Sequence, residues 1–227
     1  FNLVAQTQFN LLRVILPLGI SFYTFEQIAY LVDCYKGKAS LYSSPKYTVF
    51  VVFFPQLIAG PIVHHHEMVP QFESVKNRFL NFRNINKGLL LFSIGLFKKV
   101  VIADSFSIWV NRGFDSGEPL TFFAAWVTSL SYTFQLYFDF CGYTDMAIGA
   151  ALLFNINLTV NFNSPYKTTN IQNFWKCWHI SLSRFLKEYL YIPFGGNRFG
   201  ELCAYRNILI TFLIGGIWHG AGWLYLL

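Results

Sequence analysis

The chain has five histidines, the side chains best suited to proton chemistry near neutrality. Two of them stand apart. His219 lies in Gly215-Gly216-Ile217-Trp218-His219-Gly220-Ala221, in a stretch from Asn207 to Leu227 without Lys, Arg, Asp or Glu. An ionisable group in such surroundings points to function, and an imidazole there suits general-base work. The glycines on either side would let a substrate or another backbone approach closely. The competing reading is a neutral histidine that donates one hydrogen bond between helices. His179 lies in Phe174-Trp175-Lys176-Cys177-Trp178-His179-Ile180-Ser181-Leu182-Ser183-Arg184. Beside two tryptophans it reads either as an interface anchor or as a partner of His219, one imidazole coming from the membrane surface and one from within. The indole N–H of Trp178 or Trp218, or backbone N–H groups near Gly215 and Gly216, could stabilise an oxyanion. No nucleophile elbow, phosphate loop or dinucleotide fingerprint is present.

The remaining candidates are weaker. His64, His65 and His66 are consecutive, diverge on regular backbone and lack zinc-ligand spacing, so a solvated loop without metal is expected. Asp139 and Asp145 lie between apolar runs and require partners: Lys98, Lys99, Arg184 or a histidine. The four cysteines are scattered, without a C-x-x-C pair, and read as buried thiols.

These residues must be positioned by membrane elements. Of 227 residues, 54% are hydrophobic and only 12% charged, too few charges to cover a soluble surface. The net charge of +6 comes from basic residues in the gaps between apolar stretches, the pattern of a polytopic membrane protein rather than of a nucleic-acid binder. Val14–Val32 is long enough to span, with early breaks at Pro17 and Gly19. Tyr47–Val63 lies between two basic loops and is broken by Pro55, Gly60 and Pro61, so it reads as re-entrant. Gly88–Val110 can span, provided that Lys98 and Lys99 face protein or water. Leu120–Phe138 returns inward, and Tyr143–Ile156 is too short to cross alone. Residues 157–206 read as cytoplasmic, and Asn207–Leu227 crosses again, giving three or four crossings. Within the cytoplasmic stretch, Trp175, Trp178, Leu182, Phe185, Leu186, Tyr189 and Leu190 recur at helical spacing. They predict one amphipathic helix along the membrane surface, ended by Ile192-Pro193 and a turn at Gly195-Gly196-Asn197. A helix starting at Asn207 would carry His219 about 18 Å into the bilayer. Both ends of the chain read as cuts, with residues 1–227 forming one membrane-embedded core.

The motifs around His179 and His219 resemble those of the membrane-bound O-acyltransferase family. So do Tyr189-Leu190-Tyr191-Ile192-Pro193, Gly195-Gly196-Asn197-Arg198, Leu16-Pro17-Leu18-Gly19-Ile20-Ser21-Phe22-Tyr23-Thr24-Phe25, Phe54-Pro55-Gln56-Leu57-Ile58-Ala59-Gly60-Pro61-Ile62 and Phe138-Asp139-Phe140-Cys141-Gly142-Tyr143-Thr144-Asp145. The alginate O-acetylation branch is the nearer likeness, the D-alanine transfer proteins of teichoic acid a more distant one. The resemblance implies an all-α polytopic fold of transmembrane, re-entrant and interfacial helices around a central funnel, truncated here at both ends, in the bacterial inner membrane. It implies His219 as the essential catalytic histidine and His179 as the second family histidine. Trp175, Trp178, Trp218, Asp139 and Arg184 are the substrate-binding candidates. The expected activity is acetyl transfer from a cytoplasmic thioester, acetyl-CoA or an acyl carrier, with no bound cofactor. The acceptor would be an exported polysaccharide or a periplasmic acetyltransferase partner. D-alanyl transfer, or transport of an acylated intermediate with the histidines as proton relays, are the alternatives.

Overall fold

The computed structural model describes residues 19–57 and 60–220. All regular structure among them is helical. Helix α1 (Ile20–Tyr35) starts immediately after Gly19, whose φ of 75° suits a residue without a Cβ. The break expected at Gly19 is therefore where the helix begins; residues 14–18 of that expected span lie outside the described residues. The Tyr47–Val63 segment is broken, as its prolines and glycine require. Helix α2 (Ser44–Val52) carries Pro45 in its first turn, α3 (Phe54–Leu57) is a single turn, and the backbone is non-helical from Gly60 to His64.

Helix α4 (His65–Glu73) begins inside the histidine triplet. This corrects the expectation of a solvated loop: His64 and His65 are buried, at 1% and 3% exposure, and only His66 is open. Side chains of α1 and of the Lys187–Tyr191 turn cover them, through Asp33 and Tyr189.

Helix α5 (Phe82–Phe97) is capped by the Asn81 side chain, which accepts from the N–H groups of Arg83 and Asn84 at 3.1 and 3.3 Å. It runs through a wider π-helical stretch, Lys98–Ala103, into α6 (Asp104–Phe114). Helix α7 (Phe122–Leu153) packs along α5 in the opposite direction. Its 32 residues form one helix of about 48 Å, at 1.5 Å per residue. The two separate segments expected here are thus corrected to one. Asp139 and Asp145 do not interrupt it because each is paired across the helix interface. Lys99 Nζ lies 2.6 Å from Asp139 Oδ1, and Lys98 Nζ lies 2.6 Å from Asp145 Oδ2.

The α5–α7 contact is made close by glycine. A methyl group on Gly95 would lie 2.5 Å from the Gly142 carbonyl oxygen, and one on Gly88 would lie 2.7 Å from that of Gly149. Each pair recurs after seven residues, two helical turns, so one glycine stripe faces another. Ala147 and Ala151 of α7 then meet Phe50, Val63, Met68 and Val69 in the main apolar core. The outward faces are also apolar, with Leu90, Phe123 and Leu209 exposed.

The single amphipathic helix expected over Trp175–Leu190 is corrected to two. Helix α8 (Ile171–Cys177) stops at extended Trp178, and α9 (Ile180–Leu186) restarts after His179, whose φ of 44° and ψ of 54° are left-handed. A π-helical turn, Lys187–Tyr191, follows, and turns over residues 192–199 lead to α10 (Glu201–His219). Helix α10 starts six residues earlier than expected, at Glu201, so His219 lies about 27 Å along its axis rather than 18 Å. Among the described residues it is the one helix long and apolar enough to cross a membrane. Residues 221–227 of the expected last span lie outside the described residues.

Candidate active site

The break between α8 and α9 builds the site. Residues 161–163 run beside it. The Asn161 carbonyl accepts from Ile180 N–H at 2.9 Å, and Cys177 accepts from Asn163 N–H at 2.9 Å. The Asn161 side-chain oxygen accepts from Ser181 N–H at 3.1 Å and from Ser181 Oγ–H at 3.0 Å. Ser181 Oγ in turn accepts from Ile62 N–H at 3.0 Å, which ties the stretch after α3 to the same point. Asn161, Ser181 and Ile62 are all fully buried, so these bonds have no competition from water.

His179 is 5% exposed, with its ring edge-on to Phe140 of α7 at 4.7 Å. Its Nδ1 lies 3.3 Å from Asn161 Oδ1. That oxygen already receives two hydrogens from Ser181, so it is an acceptor and Nδ1 carries the proton. The Nε2 lone pair is left available. Burial pulls the imidazole down to about 3, and the nearby His219 adds to the effect. His179 is therefore neutral at physiological pH, and the two histidines share one electrostatic neighbourhood.

His219 is the last residue of α10, before extended Gly220. Its ring lies 4.5 Å from that of Trp218. Trp218 docks the end of α10 on α1, with its ring 4.9 Å from Phe25 and 6.0 Å from Phe22. Phe25 continues to Phe185 of α9 at 4.5 Å. Trp218 Nε1–H is buried without a hydrogen-bond partner among the described residues.

The other candidates are placed elsewhere. Trp178 stacks on Phe174 at 5.7 Å and meets Phe162 edge-on at 5.1 Å, in an aromatic cluster that fixes the α8 end. Trp175 packs on Phe212 of α10 at 5.1 Å and lines an apolar cavity of about 610 Å³ between α8, α9 and α10. Lys176 and Lys187 also border it. Asp139 is paired with Lys99. Arg184 grips Glu67 of α4 with two bonds, of 2.5 and 3.0 Å. Each of these two charges, expected to meet substrate, has a partner within the protein. Asn161 and Phe140 were not singled out by the sequence reading. The only signal for them lies in the fold, since both are far from His179 along the chain. Among the described residues, no trio of metal-ligating side chains includes His179 or His219.

Residues 35–227 match the profile of the membrane-bound O-acyltransferase family. The chain is 57% identical to a peptidoglycan O-acetyltransferase of Helicobacter pylori, an alignment covering all of this chain and 48% of that protein. It is 44% identical to a probable alginate O-acetylase of Pseudomonas putida, over 96% of this chain and 44% of that one. It is 26% identical to a teichoic acid D-alanyltransferase of Bacillus subtilis, over 89% of this chain and 53% of that one. The chain thus spans about half the length of the curated relatives it matches.

Proposed function

Because the chain belongs to the membrane-bound O-acyltransferase family, we propose that it is the catalytic core of a bacterial inner-membrane enzyme that acetylates hydroxyls of a cell-envelope glycan. The helices span the membrane several times around a central funnel, as one domain within a longer protein. The acetyl group comes from a thioester on the cytoplasmic side, acetyl-CoA or an acyl carrier. The acceptor is a glycan hydroxyl, reached directly or through a periplasmic partner protein. The higher identity to the peptidoglycan enzyme than to the alginate one, 57% against 44%, favours peptidoglycan as the acceptor class.

The observation that carries this reading is a buried neutral His179 in the same electrostatic neighbourhood as His219, which sits beside an indole N–H without a hydrogen-bond partner among the described residues. His219 takes the hydroxyl proton as the acceptor oxygen attacks the thioester carbonyl. Trp218 Nε1–H donates to the oxygen that becomes negative. The C–S bond then breaks, and the proton held by His219 leaves with the thiolate. His179, locked by Asn161, orients His219 or the donor. Burial limits loss of the thioester to water. The deciding experiment is His219→Ala in the full-length protein at normal membrane level, with mass analysis of the cell-envelope glycans. Loss of O-acetyl groups is expected. Retained acetylation overturns the reading, and retained acylation with failed export would favour the transporter alternative.

A further inference from the structure

We propose that Asp33, His65 and His66 form a site for a divalent ion of the zinc class, tying the end of α1 to the start of α4. One ligand atom from each of the three lies within 4.8 Å of the other two. His65 Nε2 and Asp33 Oδ2 are 3.1 Å apart. With metal–ligand bonds of about 2.0–2.1 Å, that separation subtends roughly 100° at the ion, close to a tetrahedral angle. His66 is exposed and already presents a ring nitrogen within that distance of the other two. Two imidazoles, one carboxylate and an open fourth position make a donor set that suits zinc.

The surroundings are built to hold it. The Tyr42 hydroxyl lies 2.9 Å from His65 Nδ1, and the Tyr42 backbone N–H is held by Tyr30 Oη at 2.9 Å. A hydroxyl on Nδ1 fixes the ring and leaves Nε2 to face Asp33, the second layer that ligating histidines use. The Tyr189 hydroxyl donates to Asp33 Oδ2 at 2.8 Å, which orients the carboxylate. Next to this layer His64 is 1% exposed, its ring 5.3 Å from His66 and stacked on Tyr189 at 5.8 Å. Its Nε2 makes no hydrogen bond among the described residues and lies 4.0 Å from Glu188 Oε2. The sequence could not show the site. The three adjacent histidines do diverge, and His64 turns to Tyr189, but the third ligand comes from another helix.

The test uses full-length protein in detergent, purified through a tag without histidine and stripped with chelator. Co²⁺ is titrated in, and its visible ligand-field bands are followed. One ion per chain, displaced by Zn²⁺, is expected. His66→Ala, at an exposed position, should weaken binding at least tenfold while the melting temperature without metal stays unchanged. Tyr42→Phe should weaken it by roughly 10–100-fold. His219→Ala should bind Co²⁺ like the parent, so this site and the acyl-transfer reading fail separately. Absence of the bands in the parent, or parent-like affinity in His66→Ala, overturns the proposal.

Discussion

The side-chain oxygen of Asn161 lies 3.3 Å from Nδ1 of His179, across 18 residues of chain, and also accepts two bonds from Ser181. One buried oxygen thereby sets both the left-handed backbone at His179 and the tautomer of its ring. Asn161→Leu keeps the volume and orphans three donors. Each costs about 1–3 kcal/mol, so a loss of at least about 2 kcal/mol is expected. Thermal unfolding of the full-length protein in detergent checks the stability. Acyl transfer should fall further than the loss of folded protein accounts for.

The pH dependence of stability follows from His179. Its native value, about 3, lies below the ordinary histidine value of 6.5. Above that ordinary value both native and unfolded chains hold it neutral, and its contribution is complete. As pH falls below it, the unfolded chain binds a proton that the native one refuses. Stability then drops by up to about 1.4 kcal/mol per pH unit. Asparagine tolerates a left-handed backbone, so His179→Asn should fold and lose this acid slope. The difference between parent and variant in denaturant midpoint, measured across pH, isolates the effect.

Trp218→Phe keeps the packing on Phe22 and Phe25 and removes only the N–H. If that donor meets the oxyanion, kcat should fall by about 10²–10³-fold. The melting temperature should hardly move. Unchanged kcat would assign Trp218 to docking α10 alone.

Gly95→Val would force a side chain into the Gly142 carbonyl, 2.5 Å from where its Cβ would sit. The α5–α7 pair must separate, at a cost of about 1–3 kcal/mol or more. Lower yield of folded protein and a lower melting temperature are the expected readouts. The same change at Gly117, where nothing lies within 4 Å of an added Cβ, tests strain at its φ of 66° without this clash.

Lys98→Leu leaves Asp145 facing α5 without its partner, while Lys98→Leu with Asp145→Leu removes both charges. The single variant should lose about 1.5–3 kcal/mol, the value of a hydrogen bond to a charged group. The double variant should recover most of it. A double-mutant cycle in detergent measures the coupling.

The sequence reading singled out His179 and His219, which the structure places in one electrostatic neighbourhood, because an imidazole in an uncharged stretch and another beside two tryptophans are local signals. It also marked a break at Gly19, inside a span drawn from Val14, where the structure starts α1, and an end at Ile192-Pro193, since glycine and proline act on their own neighbours. It erred where a distant partner decides. Asp139 and Asp145 have the partners proposed for them, Lys99 and Lys98, yet the segments around them read as separate because those lysines lie 40 and 47 residues away. Trp175–Leu190 read as one helix because its periodicity is unbroken, and Asn161 is what breaks it. The histidine triplet read as exposed because its cover comes from Asp33 and Tyr189.

The α5–α7 hairpin is held in two ways, by facing glycines that allow close, extensive backbone contact and by two lysine–aspartate pairs that resist sliding. On the proposed function, passage of a bulky acceptor must therefore deform some other part. A less restrained part is the tip of α10 beyond Trp218, where the helix ends at extended Gly220. Opening there and proton transfer at His219 would then share the same few torsions, and a crosslink stiffening that tip should slow turnover while a crosslink within the hairpin should leave it untouched.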